Sequence, residues 1–229
     1  PYRDLRNRRN RKMVERINSL VGQQSLALDF DRDVAPLSQS DKGGSITERH
    51  ILFALTLRLI KQFGKGQALI DYLRNQLKLN INDKINSYLL DESNPHYEYD
   101  LLGLLKGEMV ASFYIDATEE CPDVREVIAL SKEIGAISAY AYLGDVGDSV
   151  TGDKKPQKFE DDYLDELFEV LSDLKFQAVT YMPSRNTHKQ LDRIRALCNQ
   201  YGLFQISGED INSSRQAFVC TAMRDEKYQ

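Results

Sequence analysis

The sequence predicts an α/β fold with a parallel sheet, preceded by a block of helices, and three observations support this prediction. Apolar residues recur at helical spacing through most of the first half of the chain. From Pro122 onward, short apolar segments alternate with amphipathic helical segments. These short segments are almost continuously apolar, which is typical of parallel strands covered on both faces. Such a sheet occurs in a barrel or in a doubly wound layer.

The first half is predicted to be mainly helical. A helix occupies the N-terminal segment, "SLALDF" is a short strand, and a loop follows from Asp29 to Gly44. Ser45 and Glu48 have the spacing of a capping box and open a long helix that ends at Gly64. Shorter helices are predicted over about 67–78, 81–90 and 98–106.

The second half is predicted to alternate between helices and strands. The predicted helices cover about 122–134, 160–174, 188–201 and 213–223, and Gly135 and Gly202 end the first and third of them. The predicted strands are "AISAYAY", "FQAVTY" and "LFQI". A long polar loop separates the first strand from the second helix.

Composition excludes several classes of protein. The chain has 229 residues and no apolar run near the roughly 20 residues that span a bilayer. No secretory leader is recognisable, so we expect a cytoplasmic protein without a membrane partner. Its three cysteines are odd in number and widely spaced, which argues against a disulfide framework or a thiolate zinc site. We expect them to be reduced and mostly buried.

The net charge of −5 gives no reason to expect nucleic acid as the main partner. Basic residues nevertheless crowd the first helix, and two interpretations are open. They form either an arm that binds nucleic acid or a solvated helix face whose apolar side docks on the body of the protein. The basic residues are Arg3, Arg6, Arg8, Arg9, Arg11, Lys12 and Arg16, and the apolar ones are Leu5, Met13, Val14, Ile17 and Leu20.

Polar side chains follow each of the three predicted strands. The carboxyl ends of parallel strands meet at one edge of a sheet, where α/β proteins carry their active sites. The junctions are "YLGDVGD" at 142–148, "YMPSRNTH" at 181–188 and "SGEDINSSR" at 207–215. We therefore expect a polar pocket lined by Asp145, Arg185, Asn186, Glu209, Asp210 and Asn212.

Some of these residues have a structural alternative. Thr187 with Gln190 and Ser213 with Gln216 have capping-box spacing, so the asparagine before each pair could simply be a helix-entry residue. Asp210 is harder to explain structurally, because a carboxylate directly after a buried strand must be paired, hydrogen-bonded or bound to a metal. Glu209 either joins the pocket or points outward.

Four residues suit a phosphate group, one of which, Arg185, also belongs to the predicted pocket. Arg185, Ser213 and Arg215 lie at the entrances of two predicted helices, where exposed N–H groups favour anions and a guanidinium can bind phosphate in a bidentate manner. His50 lies in the first turn of the long helix beside Glu48, and could point into a cleft or serve structure alone.

Five segments of the chain resemble the PHP (polymerase and histidinol phosphatase) family of metal-dependent phosphoesterases. The similarity is to the branch that carries a helical insertion and acts on nucleotide or short-RNA phosphates. The segments are "NRRNRKMVERINSL", "ITERHILFAL", "AISAYAYLGD", "SRNTHKQL" and "ISGEDIN". The resemblance implies a partial, distorted parallel β/α barrel formed by residues 1–45 and 111–229, with an all-helical insertion at 46–110. The family's opening strand, with its His-x-His motif, would precede Pro1.

The resemblance also implies a divalent metal centre, with Mn, Mg or Zn, that activates water to attack a phosphate ester. The implied roles are metal binding by Asp210, Asn212, Asn186 and Glu209, catalysis by Asp210 and His50, and phosphate binding by Arg185, Arg215 and Ser213.

This sequence departs from the family's metal motifs. The family's Ala-His-Pro-Gly reads "AYLG" at 141–144, and asparagine replaces histidine at Asn186 and Asn212. An amide oxygen is a weaker and harder ligand than imidazole, so the site shifts from zinc or iron toward magnesium, manganese or no metal.

Three functions are therefore open. The first is a phosphoesterase of reduced or lost activity that acts on a nucleotide or short oligonucleotide. The second is a non-catalytic or regulatory module that binds a phosphorylated ligand in the same pocket. The third is nucleic-acid binding by the basic first helix, with the rest of the chain as a scaffold.

Overall fold

The fold was determined as a computed structural model, which describes residues 2–147, 157–211 and 213–226. The chain forms two compact units, Pro1–Cys121 and Pro122–Gln229. The division predicted from the family resemblance, with an insertion at 46–110, stays a prediction. None of the described helices combines the length and the apolar character needed to cross a membrane.

The first unit is built from helices around one apolar core. Its helices are α1 (Tyr2–Val21), α2 (Glu48–Phe63), α3 (Gln67–Asn75), α4 (Asp83–Leu90) and α5 (Tyr97–Phe113). The core is lined by residues from all five helices and from the segment between α1 and α2. Its largest buried side chains include Met13, Ile17, Leu52, Tyr97 and Phe113. The helices predicted from apolar spacing are confirmed, and α5 continues well past its predicted end.

The predicted strand "SLALDF" is wrong. Ser25 and Leu26 lie in a 3₁₀ turn at Gln24–Leu26 and Phe30 opens a π-helical turn at Phe30–Val34, whereas the residues 27–29 between them belong to no helix or strand. Asp29 closes the second turn, because its carboxylate accepts the N–H of Arg32 and its own N–H donates to the carboxylate of Asp33. Polar side chains beside the backbone thus favour a local turn over strand pairing.

The capping box of α2 lies two residues later than predicted. Thr47, not Ser45, is the N-cap, and His50 takes the place expected for Glu48. The Nδ1 atom of His50 accepts the backbone N–H of Thr47 at 3.1 Å. His50 therefore satisfies an exposed donor at the start of the helix.

The basic face of α1 is occupied by contacts within the first unit. Arg9 binds Glu120 at 2.5 Å, and Arg11 binds Asp31 at 2.5 Å. Arg16 donates to a backbone carbonyl oxygen, that of Tyr114. Met13, Val14 and Ile17 of the same helix are buried. The structure therefore supports a helix docked through its apolar face and gives no support to nucleic-acid binding by α1.

The second unit is an α/β layer. Its elements are α6 (Val124–Glu133), β1 (Ala139–Ala141), α7 (Leu164–Asp173), β2 (Ala178–Tyr181), α8 (His188–Tyr201) and β3 (Phe204–Ser207). The strands form one sheet in the order β1-β2-β3, with both pairs parallel. The predicted α/β class and the parallel sheet are confirmed, whereas the described strands do not show a closed barrel.

Only the central strand of the sheet is buried. β2 lies in the core with residues of α7 and α8, among them Phe168, Leu171 and Ile194. All four residues of β3 are exposed, with Phe204 at 68%. The prediction that the strands are covered on both faces is thus wrong for β1 and β3, because apolar composition alone does not say what packs on a strand.

The helix predicted at 213–223 is also wrong. A turn closed by Ser213 and Gln216 and a short 3₁₀ turn at Thr221–Arg224 take its place. Phe218 is 87% exposed, so this segment has no core to bury an apolar face against. A short helix gains most of its stability from such burial. The cysteines are free as expected, but Cys198 is buried whereas Cys121 is exposed, which corrects the expectation that most are buried.

Candidate functional site

Two adjacent acids hold the loop that leaves β1. The carboxylate of Glu160 accepts the backbone N–H of Leu143 at 2.8 Å. The carboxylate of Asp161 accepts the hydroxyl of Tyr142 at 2.5 Å and the backbone N–H of Asp145 at 3.1 Å. These bonds fix the loop at the carboxyl edge of the sheet, where the polar pocket was predicted.

Gly144 lies at the centre of this loop with a φ of +71°, a conformation that favours glycine. A Cβ atom at this position would lie 2.7 Å from Nδ2 of Asn186, 2.8 Å from Nε2 of Gln190 and 2.9 Å from the hydroxyl of Tyr142. Three polar side chains thus approach the backbone of Gly144 more closely than a methyl group allows.

Asn186 links the loops that follow β1 and β2. Its side chain is buried, with the residue only 4% exposed. Its Oδ1 atom accepts the backbone N–H of Met182 at 3.0 Å, and its Nδ2 atom donates to the carbonyl oxygen of Leu143 at 2.8 Å. Thr187 is the N-cap of α8, so Asn186 is not the helix cap that one interpretation expected. Its amide connects two backbone segments.

Gln190 and Arg193 of α8 complete the network. Nε2 of Gln190 donates to the carboxylate of Asp161 at 2.7 Å and to the carbonyl oxygen of Asp145 at 2.9 Å. Its Oε1 atom accepts the backbone N–H of Thr187, which forms the predicted capping box. Arg193 donates to the carbonyl oxygen of Asp161 at 2.7 Å. Helix α8 therefore supports both the segment that contains Glu160 and Asp161 and the loop after β1.

The network changes the acidity of its members. Burial raises the pKa of Asp161, but hydrogen bonds from Tyr142 and Gln190 outweigh burial, so the pKa lies below its ordinary value. Burial and then the bond to Asp161 raise the pKa of Tyr142. Burial and then the charge of Glu160 raise the pKa of Tyr140 to about 12. At neutral pH Asp161 is therefore charged, and the phenols of Tyr140 and Tyr142 are neutral.

Arg185 is fixed at the same edge. Its Nε atom donates to the carbonyl oxygen of Leu143 at 3.0 Å, and its guanidinium carbon lies 5.4 Å from the centre of the Phe159 ring. Among the described residues it forms no salt bridge. The side chain is half-buried. Its plane is thus set by a hydrogen bond and a ring, and its charge has no carboxylate partner within residues 2–147, 157–211 and 213–226.

The third junction reaches the second one. The backbone N–H of Gly208 donates to the carbonyl oxygen of Tyr181 at 3.1 Å, and the hydroxyl of Ser184 donates to the carboxylate of Glu209. Burial, followed by a hydrogen bond to Glu209, raises the pKa of Cys220. Glu209 therefore faces the loop after β2 and does not point away from it.

Most of the described remainder of the third junction is exposed. Asp210 lies at the surface, and its carbonyl oxygen accepts Nε2 of Gln216 at 3.0 Å. The backbone N–H of Arg215 donates to the hydroxyl of Ser213 within the same turn. Asn212 lies outside the described residues. The premise that Asp210 follows a buried strand is wrong, because β3 is exposed along its length.

His50 belongs to the helical unit, where it caps α2. Burial lowers its pKa, although the charge of Glu48 opposes this shift. Its Nδ1 atom is an acceptor from Thr47, so the neutral ring fits the observed contacts. The structure thus supplies a structural role for His50.

The donors of the α/β unit do not fit the polynuclear metal centre that the family resemblance implies. Within the described part of the chain, no group of three or more His, Cys, Asp and Glu side chains is arranged to hold a metal ion. The oxygen of Asn186 already accepts a backbone N–H, and Glu209 already accepts a hydroxyl.

Sequence reasoning missed five residues that build this site. Glu160 and Asp161 fall at the start of the amphipathic helix predicted over about 160–174, yet both hold the β1 loop. The available sequence signal was a pair of adjacent acids in front of an apolar helix. The structure shows that one of them, Glu160, is buried, and a buried carboxylate must be hydrogen-bonded. Three more residues took part without a local signal: Tyr142, Gln190 and Arg193.

No known protein family and no curated protein sequence matches this chain. A crystal structure from Bifidobacterium adolescentis, described as that of a proposed metal-dependent phosphoesterase, aligns with 97% of this chain at a TM-score of 0.49 and 17% sequence identity. The chain spans 62% of the length of that protein. A likeness of this degree establishes neither membership of the PHP family nor an activity.

Proposed function

We propose that the α/β unit binds the phosphate group of a small phosphorylated molecule or nucleotide at Arg185 and does not hydrolyse it. The observation that carries this proposal is the fixed guanidinium of Arg185, held by Leu143 and Phe159 without a carboxylate partner among the described residues. Its hydrogen bond uses Nε, which leaves the two terminal nitrogens to bind a phosphate in a bidentate manner.

The start of α8 adds to the attraction for an anion. The first N–H groups of a helix have no partner within the helix, and the helix dipole places partial positive charge there. The first turn of α8 contains no acidic residue, and Lys189 is its second residue. Arg185 lies three residues before His188, the first residue of α8, so both features can act on the same ligand.

Hydrolysis by the family's mechanism would need a metal-activated water. The polar groups at this edge are instead committed to one another, as the two bonds of Asn186 to Met182 and Leu143 illustrate. A site whose donors hold the backbone in place binds a ligand without supplying a nucleophile. We also propose that the fold derives from a partial barrel of the phosphoesterase type. Ser213 and Arg215 are proposed as further contacts of the phosphate.

Phosphate binding is tested by calorimetric titration of the chain with inorganic phosphate and with adenosine monophosphate. We expect Arg185→Gln to weaken binding about tenfold or more, as for the loss of a charge-assisted bidentate contact. Arg125→Gln is the matched control, because Arg125 is an exposed arginine of the same unit that contacts Asp123. Equal affinities of the two variants would show that Arg185 is not the phosphate site.

Absence of turnover is tested separately. We expect no hydrolysis of p-nitrophenyl phosphate or its diester in the presence of Mn²⁺ or Mg²⁺ beyond that of a heat-denatured sample. A metal-dependent rate that disappears in Asp210→Asn would contradict the proposal and establish the hydrolytic alternative. A metal-dependent rate that survives in Asp210→Asn and stays with the protein through purification would contradict the proposal as well, because other residues would then carry the hydrolysis.

A further inference from the structure

The helical unit contains an open cleft of about 470 Å³ that the proposed function does not involve. It lies between one face of α2 and the π-helical turn Phe30–Val34. Three of its lining side chains are cationic, one is acidic and two are apolar. They are Arg32, Asp33, Ala54, Leu57, Arg58 and Lys61.

The spacing of the α2 residues explains how the cleft forms. Ala54, Leu57, Arg58 and Lys61 follow one another at intervals of three and four residues, so they share one face of the helix. The opposite side of α2, with Leu52, Leu55 and Leu59, is in the core. The cleft face is therefore turned away from these core leucines, and Ala54 is its one buried residue.

Asp33 holds the two arginines of the cleft. Its carboxylate accepts Nε and Nη2 of Arg32 at 3.2 and 2.9 Å, and Nη2 of Arg58 at 2.8 Å. It also accepts the backbone N–H of Asp29 at 2.8 Å. These bonds lower the pKa of Asp33, chiefly through Arg32, so the carboxylate is charged at neutral pH. Both guanidinium groups are thus positioned before any ligand arrives.

The lining carries an excess of two positive charges, because three cations face one carboxylate. Lys61 is exposed and forms no salt bridge within the described ranges. Two neighbouring acids are not among the lining residues: Asp31 is paired with Arg11 at 2.5 Å, and Asp29 is exposed and accepts the backbone N–H of Arg32 at 2.8 Å. Like charges repel one another across a cleft, and a dianion would relieve this repulsion.

We infer that this cleft binds a phosphate monoester, with Arg32, Arg58 and Lys61 around the phosphate and Leu57 against the organic group. A phosphate monoester carries a charge of about −1.5 to −2 at pH 7, which matches the excess charge of the lining. Leu57 is among the large apolar residues left exposed, and it forms an apolar wall beside the cations. This inference concerns the helical unit and does not rest on the function proposed for Arg185.

The test uses the full chain with Arg185→Gln, which removes the other proposed phosphate site. Phenyl phosphate and inorganic phosphate are titrated calorimetrically into this protein. We expect phenyl phosphate to bind about fivefold tighter, because its ring covers Leu57. Lys61→Gln should weaken both ligands about fivefold or more, as for one lost charged hydrogen bond. Leu57→Ser should reduce the preference for phenyl phosphate and leave inorganic phosphate unchanged.

Lys84→Gln is the matched control, since Lys84 is an exposed lysine on α4 of the same unit outside the cleft. Equal weakening by Lys61→Gln and Lys84→Gln would overturn the inference, because binding would then follow net charge alone. Equal affinity for the two ligands would overturn the assignment of an organic phosphate. Loss of all phosphate binding in Arg185→Gln would also overturn it, while supporting the function proposed for the α/β unit.

Discussion

Gly144→Ala should destabilise the α/β unit more than any other exchange of glycine for alanine in its described part. The methyl group would meet the ends of Asn186, Gln190 and Tyr142 at 2.7 to 2.9 Å. Each of these ends is held by hydrogen bonds, so it cannot move aside without breaking them. The residue would also have to keep a φ of +71°.

The two costs have separate magnitudes. Keeping an alanine at a positive φ costs about 1 kcal/mol of folding free energy. Forcing a methyl group into a filled space costs about 1–3 kcal/mol more. Gly135 isolates the first cost, because it has a φ of +70° with no atom within 4 Å of the built Cβ. Gly147 has neither feature and should change stability by no more than about 0.5 kcal/mol.

Amide hydrogen exchange followed by mass spectrometry measures this difference locally. Peptides covering β2 and α8 report the free energy of opening of the α/β unit without requiring the whole chain to unfold in one step. We expect losses of about 2–4 kcal/mol for Gly144→Ala and about 1 kcal/mol for Gly135→Ala. Equal losses for the two variants would mean that the side chains around Gly144 are not held in place, and the locked loop would be refuted.

Two predictions concern pH. Of the 12 tyrosines, Tyr140 and Tyr142 should ionise only near or above pH 12, and a spectrophotometric titration of Tyr142→Phe should lack one such late group. Because folding raises the pKa values of both tyrosines, their contribution to the free energy of unfolding is complete below the ordinary value of 10 and is lost as the pH rises through the folded values. A free energy of unfolding that stays unchanged between pH 9 and about 12 would contradict this. His50 has a lowered pKa, so its stabilisation is present above 6.5 and is lost as the pH falls through the folded value. The urea midpoint should therefore fall below pH 6.5 more steeply in the unaltered chain than in His50→Gln, and identical pH profiles would exclude His50 as the cap.

Local sequence signals predicted the helices well where a cap or a glycine marks the end. The interval from His188 to Tyr201 was predicted from the Thr187 capping box and from Gly202, and the structure has the same bounds. Apolar spacing predicted α6 as well, yet none of its residues is buried. Spacing therefore indicates that a helix forms but does not show what packs against it.

The sheet illustrates the same limit. Alternation of helices and strands predicted a parallel sheet, and both observed pairs, β1 with β2 and β2 with β3, are parallel. The burial of β3 does not follow from its sequence. Its residues Phe204 and Ile206 are apolar but exposed, because burial depends on elements far away in the chain. The expectation that Asp210 follows a buried strand is wrong for the same reason, since β3 is exposed.

The position of the polar site could be predicted, whereas the direction of its side chains could not. Parallel topology places Asp145, Arg185 and Asn186 near one edge, and all three contact the β1 loop or belong to it. Sequence spacing does not determine whether the oxygen of Asn186 faces a ligand or a backbone N–H. That choice depends on a rotamer, which the surrounding backbone selects.

One carbonyl oxygen connects the structural part of the site with its proposed binding part. The oxygen of Leu143 accepts Nδ2 of Asn186 at 2.8 Å and Nε of Arg185 at 3.0 Å. A carbonyl oxygen has two lone pairs, so both bonds can form together. Asn186 holds the Leu143 backbone, and the Leu143 backbone in turn holds Arg185. Since the arginine is ordered before a ligand binds, little side-chain entropy remains to be lost, and a single guanidinium beside a helix start can bind phosphate more tightly than a mobile surface arginine.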